Sequence, residues 1–251
     1  MSLNACAAIV EKGDPERFMA AMAAPVEARR ILFPLYAFNV EVARAPWVTE
    51  EPMIAEMRLQ WWRDALEEIA TGGAVRRHEV TTPLAEVLDA QSARALDQVV
   101  AVRRWDVYKD PFEDEQHFVE YFRKGGAELM WQAARLLGAP EDMRVPVLNY
   151  GAAIAVSRYL AAVCALEASG RVPLINGTRE GLVTLALNSA ADAGTIRSLR
   201  KGMPKLAQAA LLEGWAAKPV LKQVASEPQR VADGTVGISP FRSKVRLLRW
   251  S

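Results

Sequence analysis

VLNYGAAIAVSRYLAAVCAL, residues 147–166, decides the fold, because it is apolar or small on every side of a helix except at Arg158. A surface helix carries a polar face; one without it needs neighbours all round. Working outward, ILFPLYAFNVEV at 31–42 holds one charge in twelve residues and must be largely buried, with Pro34 expected to kink it or mark a boundary. IAEMRLQWWRDALEEI at 54–69 sets Ile54, Met57, Trp61, Ala65 and Ile69 on one stripe, with Arg63 and Glu67 paired on the wet side. Its adjacent tryptophans, Trp61 and Trp62, point about 100° apart and so serve two neighbours.

Between these segments apolar residues keep helical spacing, and framed runs with period two are missing, which predicts an all-α fold. Asp14-Pro15, Ala24-Pro25 and Ala139-Pro140 read as helix starts, since proline's missing N–H would be unbonded in a first turn anyway. Thr71-Gly72-Gly73, Lys109-Asp110-Pro111, Gly138-Ala139-Pro140 and Gly170 to Pro173 read as joints, as does Gly202-Met203-Pro204. Gly125-Gly126 inside a helical pattern costs about 1 kcal/mol per glycine relative to alanine, so another helix must approach closely there or the helix must break. With no low-complexity linker or repeat, residues 1–251 read as one domain.

The 251 residues are 51% hydrophobic and 24% charged, which suits a globular core. Thirty-one Lys+Arg against 30 Asp+Glu leave a formal net charge of +1, so the basic footprint of a nucleic-acid binder is missing. Two cysteines, Cys6 and Cys164, and two histidines, His78 and His117, give little material for a disulfide framework or a zinc site. The longest uncharged stretch, 145–157, falls short of the roughly 18 to 20 apolar residues of a spanning helix, and MSLNACAAIVEKGD lacks a basic n-region. The expectation is a cytoplasmic protein with no membrane span.

Pro25-x-x-x-Arg29 followed by LFPLYAFNVEVARAP, then RLQWWRDALEEI, YFRKGGAELMWQAARLLG and the stretch from Gly151 to Leu174 ending GRVPL, resembles the squalene/phytoene synthase family in order and spacing over residues 14–175. The resemblance implies a single-domain all-α bundle of the isoprenoid synthase type with a central cavity. Active members condense two prenyl diphosphates, and Mg²⁺ held by carboxylates a helical turn apart neutralises the departing pyrophosphate. Registered on Tyr36-Ala37-Phe38, the first carboxylate positions fall at Ala43, Arg44 and Trp47, and the preceding arginine at Val40. Registered on Gly170-Arg171-Val172, the second pair falls at Ala162 and Leu166, the usual glutamine at Ala155, the asparagine at Arg158 and the next arginine at Ala161. Both halves of the metal site are replaced. The AFNVE-A signature with RLQWWRDAL is similar to the divergent branch whose mitochondrial relatives assist assembly of respiratory complex I.

The resemblance therefore implies a catalytically degenerate protein with no cofactor, serving binding or assembly, with respiratory-complex assembly factors as partners. Two alternatives stay open: a prenyltransferase with unconventional ligands, the one case that would use Mg²⁺, and a structural helical partner with a filled cavity. The cavity candidates for an isoprenoid or lipid-like ligand are Tyr36, Asn39, Trp61, Trp62 and Arg158. Arg158 shares a helix face with Ala155, Ala162 and Leu166, where a lone cation needs an anion. That anion is either the head group of a lipid, quinone precursor or prenyl phosphate, or a carboxylate such as Glu128, Glu56 or Asp64. Asn39 offers a polar contact or is a backbone-satisfied amide; Trp61 and Trp62 line a polyene chain or are core. Glu41, about 200° round the helix from Ala43, is expected to pair with an arginine such as Arg58. Arg58 and Arg63 either grip a phosphate or, the reading favoured with Asp64, Glu67 and Glu68 beside them, belong to surface ion pairs. At 241–250, Arg242, Lys244, Arg246 and Arg249 interleave with apolar residues, a pattern for peripheral contact with the inner face of a membrane, for a docked partner or for a frayed terminus.

Overall fold

The structure is a computed structural model that describes residues 3–239 and 245–248, and every regular element among them is a helix. In chain order these are α1 (Leu3–Gly13), α2 (Pro15–Ala23), α3 (Val26–Arg44), α4 (Pro52–Thr71), α5 (Thr81–Ala85), α6 (Ala90–Ala101) and α7 (Trp105–Tyr108). There follow α8 (Glu115–Phe122), α9 (Glu128–Leu136), α10 (Arg144–Ala168), α11 (Arg179–Asp192), α12 (Ile196–Lys201), α13 (Ala217–Ser226) and α14 (Gln229–Ala232). A π turn at Arg123–Ala127 joins α8 to α9, and a 3₁₀ segment, Ala207–Gly214, precedes α13.

Local chemistry sets the boundaries. The Asp14 carboxylate accepts the Arg17 backbone N–H at 3.0 Å, capping α2 with Pro15 in its first turn. Gly72, at φ 69°, closes α4 in the left-handed conformation a side chain disfavours. Pro34 does not mark a boundary: α3 runs through it, and the burial of Leu32, Phe33, Leu35, Tyr36 and Phe38 offsets the lost hydrogen bond.

α10 is packed by α9, the π turn, α11 and α13, but not all round as the sequence implied: its buried residues lie over 147–160 and at Val163, while Ala161, Ala162 and Ala165 are exposed. Of the two glycines in the π turn, Gly126 sits against α10, while Gly125 faces Val102. A Cβ on Gly126 would stand 3.0 Å from the Ala155 Cβ, and one on Gly151 2.8 Å from the Ala127 Cα. Residues 141–168 form one helix that is, by length and composition, long and apolar enough to cross a membrane, contrary to the sequence expectation. That expectation weighed the uncharged run alone, whereas the helix extends past Arg158. Neighbours on several sides are also how the core helix of a bundle meets that measure.

α4 is seated differently from its expected stripe. Ala55, Leu59, Trp62, Ala65, Leu66 and Ile69 are buried, mainly against α6, so Ala65 and Ile69 of the expected stripe face inward while Ile54 and Met57 face solvent. Both stripes are apolar and helically spaced, so periodicity alone could not choose between them. Arg63 reaches across to Asp97, at 2.7 and 3.0 Å, instead of pairing with Glu67. Glu41 pairs with Arg44 at 3.2 Å, not with Arg58, because one turn of the same helix is the shorter reach. Of the basic tail, 240–244 and 249–251 lie outside the described residues, including Arg242, Lys244 and Arg249. Arg246 Nε donates to the Trp215 carbonyl at 2.7 Å and Leu247 is buried, so this part of the tail is docked on the bundle.

Candidate functional site

Four helical segments bring a buried polar cluster together beside α10. Asp14 caps α2, Arg17 follows in its first turn, Tyr36 comes from the middle of α3, Arg158 from α10 and Glu213 from the 3₁₀ segment. Arg17 Nη1 lies 3.1 Å from Asp14 Oδ2, and its Nε donates to Glu213 Oε2. Arg158 Nη1 lies 3.4 Å from Asp14 Oδ2 and 3.4 Å from Glu213 Oε2, with the Glu16 carboxylate at 3.8 Å. The Arg17 guanidinium sits 5.4 Å from the Tyr36 ring centre, a cation–π contact. Gly214 lets the segment carrying Glu213 seat against α10, since a Cβ there would fall 2.2 Å from the Tyr150 hydroxyl oxygen.

The electrostatics are those of a closed network. Two arginines face two carboxylates and cancel; Glu16, half exposed, lies at the edge. Burial raises the Asp14 carboxyl, but the charges of Arg158 and Arg17 and the Arg17 N–H outweigh it and hold the group below its usual range. Burial lowers the Arg17 guanidinium while Glu213 and Asp14 raise it, for a net rise. Burial and the Glu213 carboxylate push the Tyr36 hydroxyl well up, so it stays protonated. Two buried polar atoms, Tyr36 Oη and Glu213 Oε1, have no hydrogen-bond partner among the described residues. A hollow of about 340 Å³ opens beside the cluster, lined by Asp14, Ser157, Arg158, Ala161, Glu213 and Ile238.

The five residues singled out from the sequence fall in different places. Tyr36 and Arg158 meet in this cluster. Asn39 is buried on α3, about one turn beyond Tyr36. Trp61 and Trp62 lie elsewhere, edge-on to His78 at 5.2 and 5.5 Å, with Trp62 also against Phe38. Arg158 does take carboxylates, but not those expected: Glu128 is 3.6 Å from Arg144, Glu56 2.9 Å from Arg104 and Asp64 3.8 Å from Arg76. Sequence reasoning missed Arg17 and Glu213. A signal for Glu213 exists, since it is the lone charge in LAQAALLEGWAA, 206–217.

Mg²⁺ does not fit these residues. Hard cations need several oxygen ligands, and the corresponding positions carry Val40, Ala43, Arg44 and Trp47 on α3 and its following turn, and Ala155, Ala162 and Leu166 on α10. The cluster's carboxylates, Glu213 buried and Asp14 half-buried, already face arginines, and no group of three or more His, Cys, Asp or Glu among the described residues is placed to hold a metal ion. Trp47 instead packs on a cation. Its ring covers the Arg171 guanidinium at 4.6 Å, with Trp105 at 5.6 Å and the Asp106 carbonyl accepting from Arg171 Nη2.

Residues 10–235 match the sequence profile described as squalene/phytoene synthase. An assembly factor 6 homolog of NADH dehydrogenase (ubiquinone) complex I from Drosophila melanogaster is 32% identical over 131 residues, 50% of this chain and 39% of that protein. Complex I assembly factor 6 from Homo sapiens is 25% identical over 145 residues, 53% of this chain and 40% of that protein. The match thus spans about two fifths of the length of these relatives. Among solved structures, a dehydrosqualene synthase in complex with ligand superposes with a TM-score of 0.78 at 16% identity, covering 99% of this chain and 94% of that one. A squalene synthase from Alicyclobacillus acidocaldarius gives 0.76 at 13% identity, covering 90% and 94%. At these identities the likeness establishes the fold.

Proposed function

This chain belongs to the squalene/phytoene synthase family, and on that premise we propose that it is a catalytically degenerate member, a binding or assembly protein serving respiratory complex I biogenesis. The observation that carries the reading is the replacement of both carboxylate sets, with the remaining charge beside α10 neutralised internally by Asp14–Arg17–Arg158–Glu213. A diphosphate entering there would meet arginines already paired and no metal to share its charge, so ionisation of an allylic diphosphate lacks its electrostatic support. What remains is the scaffold and its surface. The partial matches to complex I assembly factors support assigning that surface to an assembly role, with respiratory-complex assembly factors as partners. In that role the protein works from the cytoplasmic side, in peripheral contact with the inner face of the membrane.

Two measurements test this. Purified protein titrated calorimetrically with farnesyl diphosphate should show no Mg²⁺-dependent heat when Mg²⁺ and EDTA are compared, and should release no hydrocarbon product. Deleting the gene in its source organism should lower assembled complex I on native gels. Mg²⁺-dependent turnover together with unchanged complex I would overturn the reading and restore the prenyltransferase.

A further inference from the structure

A second hollow, of about 460 Å³, lies between the end of α3, the turn after it and α4, and its walls include Val48, Ile54, Met57, Trp61, Trp62 and His78. Of the positions that correspond to the family's first carboxylate set, Arg44 lines this hollow together with Glu41, Ala45 and Val48, while Ala43 and Trp47 do not. Its floor is aromatic and held in place. Trp61 and Trp62 meet edge-to-face at 4.9 Å and both touch His78. Arg76, clamped on Glu68 by several hydrogen bonds, sits 5.0 Å from the Trp61 ring centre. Side chains locked in this way form a pocket without reorganisation on binding.

The mouth is apolar to an extent that solvent alone does not favour. Val48, Ile54 and Met57, on its walls, are exposed, Met57 at 66%, and the sequence neighbours Trp47 and Met53 are exposed as well. A concentration of this kind marks an interaction site. The charges on the walls add direction. Glu41 and Arg44 offset each other at 3.2 Å, and Arg58, exposed at the rim, has no ion pair or hydrogen bond among the described residues. The walls therefore carry one uncompensated positive charge beside an apolar, aromatic-floored trough, within the roughly 300–1,000 Å³ range of small-ligand sites.

We propose that this hollow binds a single-chain amphiphile with an anionic head, its hydrocarbon chain lying on Trp61 and Trp62 between Ile54 and Met57, and its carboxylate or phosphate at Arg58 with Arg44 alongside. The site is apart from the Arg158 cluster, so its occupancy and the assembly role stand or fall separately. Fatty carboxylates and isoprenyl monophosphates share the required chemistry, and the acyl chains of an anionic bilayer offer a rival source.

The experiment is calorimetric titration of the full chain with monomeric oleate and with farnesyl monophosphate, beside neutral oleyl alcohol and beside phosphatidylglycerol vesicles. Saturable binding of either anionic probe is expected, with oleyl alcohol at least tenfold weaker than oleate. Arg58→Glu should weaken binding about tenfold, the loss of one charge-assisted hydrogen bond, and Arg197→Glu, exposed on α12, should leave it unchanged. Met57→Asp, also at an exposed position, should abolish chain binding with circular dichroism unaltered. Equal affinity for oleyl alcohol, no effect of Arg58→Glu, or absence of saturable binding to both monomeric anions would overturn the proposal. Vesicle binding without monomer binding would overturn it in favour of a bilayer, and loss of binding as the chain self-associates would do so in favour of a second copy.

Discussion

Replacing Arg17 and Glu213 separately and together tests whether the cluster beside α10 is a coupled buried network. Both side chains are out of solvent, Arg17 at 8% and Glu213 at 0% exposure, and Arg17 is held by Asp14 as well as Glu213. Arg17→Met leaves Glu213 buried with Arg158 as its sole cation, and Glu213→Leu leaves two arginines sharing Asp14. Breaking a buried pair from one side costs about 3–5 kcal/mol, because the surviving charge keeps its desolvation penalty. Arg17→Met/Glu213→Leu removes both charges and leaves Arg158 with Asp14, so it should cost no more than about 1 kcal/mol, or stabilise. For a chain of this length each kcal/mol moves Tm by roughly 2–4 °C, so each single variant should melt about 10 °C lower and the double variant near the parent. Urea unfolding followed by circular dichroism, with coincident probes to check two-state behaviour, supplies the cycle. If the double variant loses the sum of the single losses, the four charges are not coupled and do not neutralise one another.

Gly151→Ala places a methyl 2.8 Å from the Ala127 Cα, a backbone atom with little freedom to retreat, and should cost about 1–3 kcal/mol in a thermal melt; an unchanged Tm would show that α10 and the π turn can part easily. Trp47→Ala removes the ring over Arg171 and should cost about 1 kcal/mol, with no larger loss in the Arg171→Met background. Asp14 has a folded-state pKa below its unfolded value of about 3.9. Its contribution is therefore complete above that value and is lost as pH falls through it towards the folded value. The stability gap between parent and Asp14→Asn should be level near pH 6 and should narrow below about pH 4; a gap that widens on acidification would contradict the sign of the shift.

The fold was legible where residues punctuate or saturate. Asp14-Pro15, Gly72 and the apolar run at 31–42 state helix starts, stops and burial locally, and each sits in the structure where its chemistry puts it; the run at 147–166 forms its helix but is buried chiefly over 147–160, with Ala161, Ala162 and Ala165 exposed. The seating of α4 was not legible, because Ile54 and Met57 belong to an apolar stripe just as Leu59 and Leu66 do, and a tertiary neighbour, α6, decided between them. For the cluster, the sequence showed that Arg158 needs an anion but not which one. Asp14 is 144 residues away and Glu213 55, and no local pattern encodes a meeting of α2, α10 and a 3₁₀ segment. The lone acid in 206–217 was the one trace of it that the sequence carried.

The π turn at Arg123–Ala127 fixes a rotational phase between the two halves of a continuous helical rod. Before it, the Tyr121 hydroxyl reaches Asp106 at 3.0 Å; after it, Gln132 reaches Ser92 at 2.8 Å. Each residue turns an α-helix by about 100°, so trimming the turn by one residue to a regular helix would leave one of these two contacts pointing away. The widened turn works as a clutch plate: it lets the amino-terminal half engage the aromatic layer around Trp105 while the carboxy-terminal half engages α6, and Gly126 keeps it thin enough for α10 to pass.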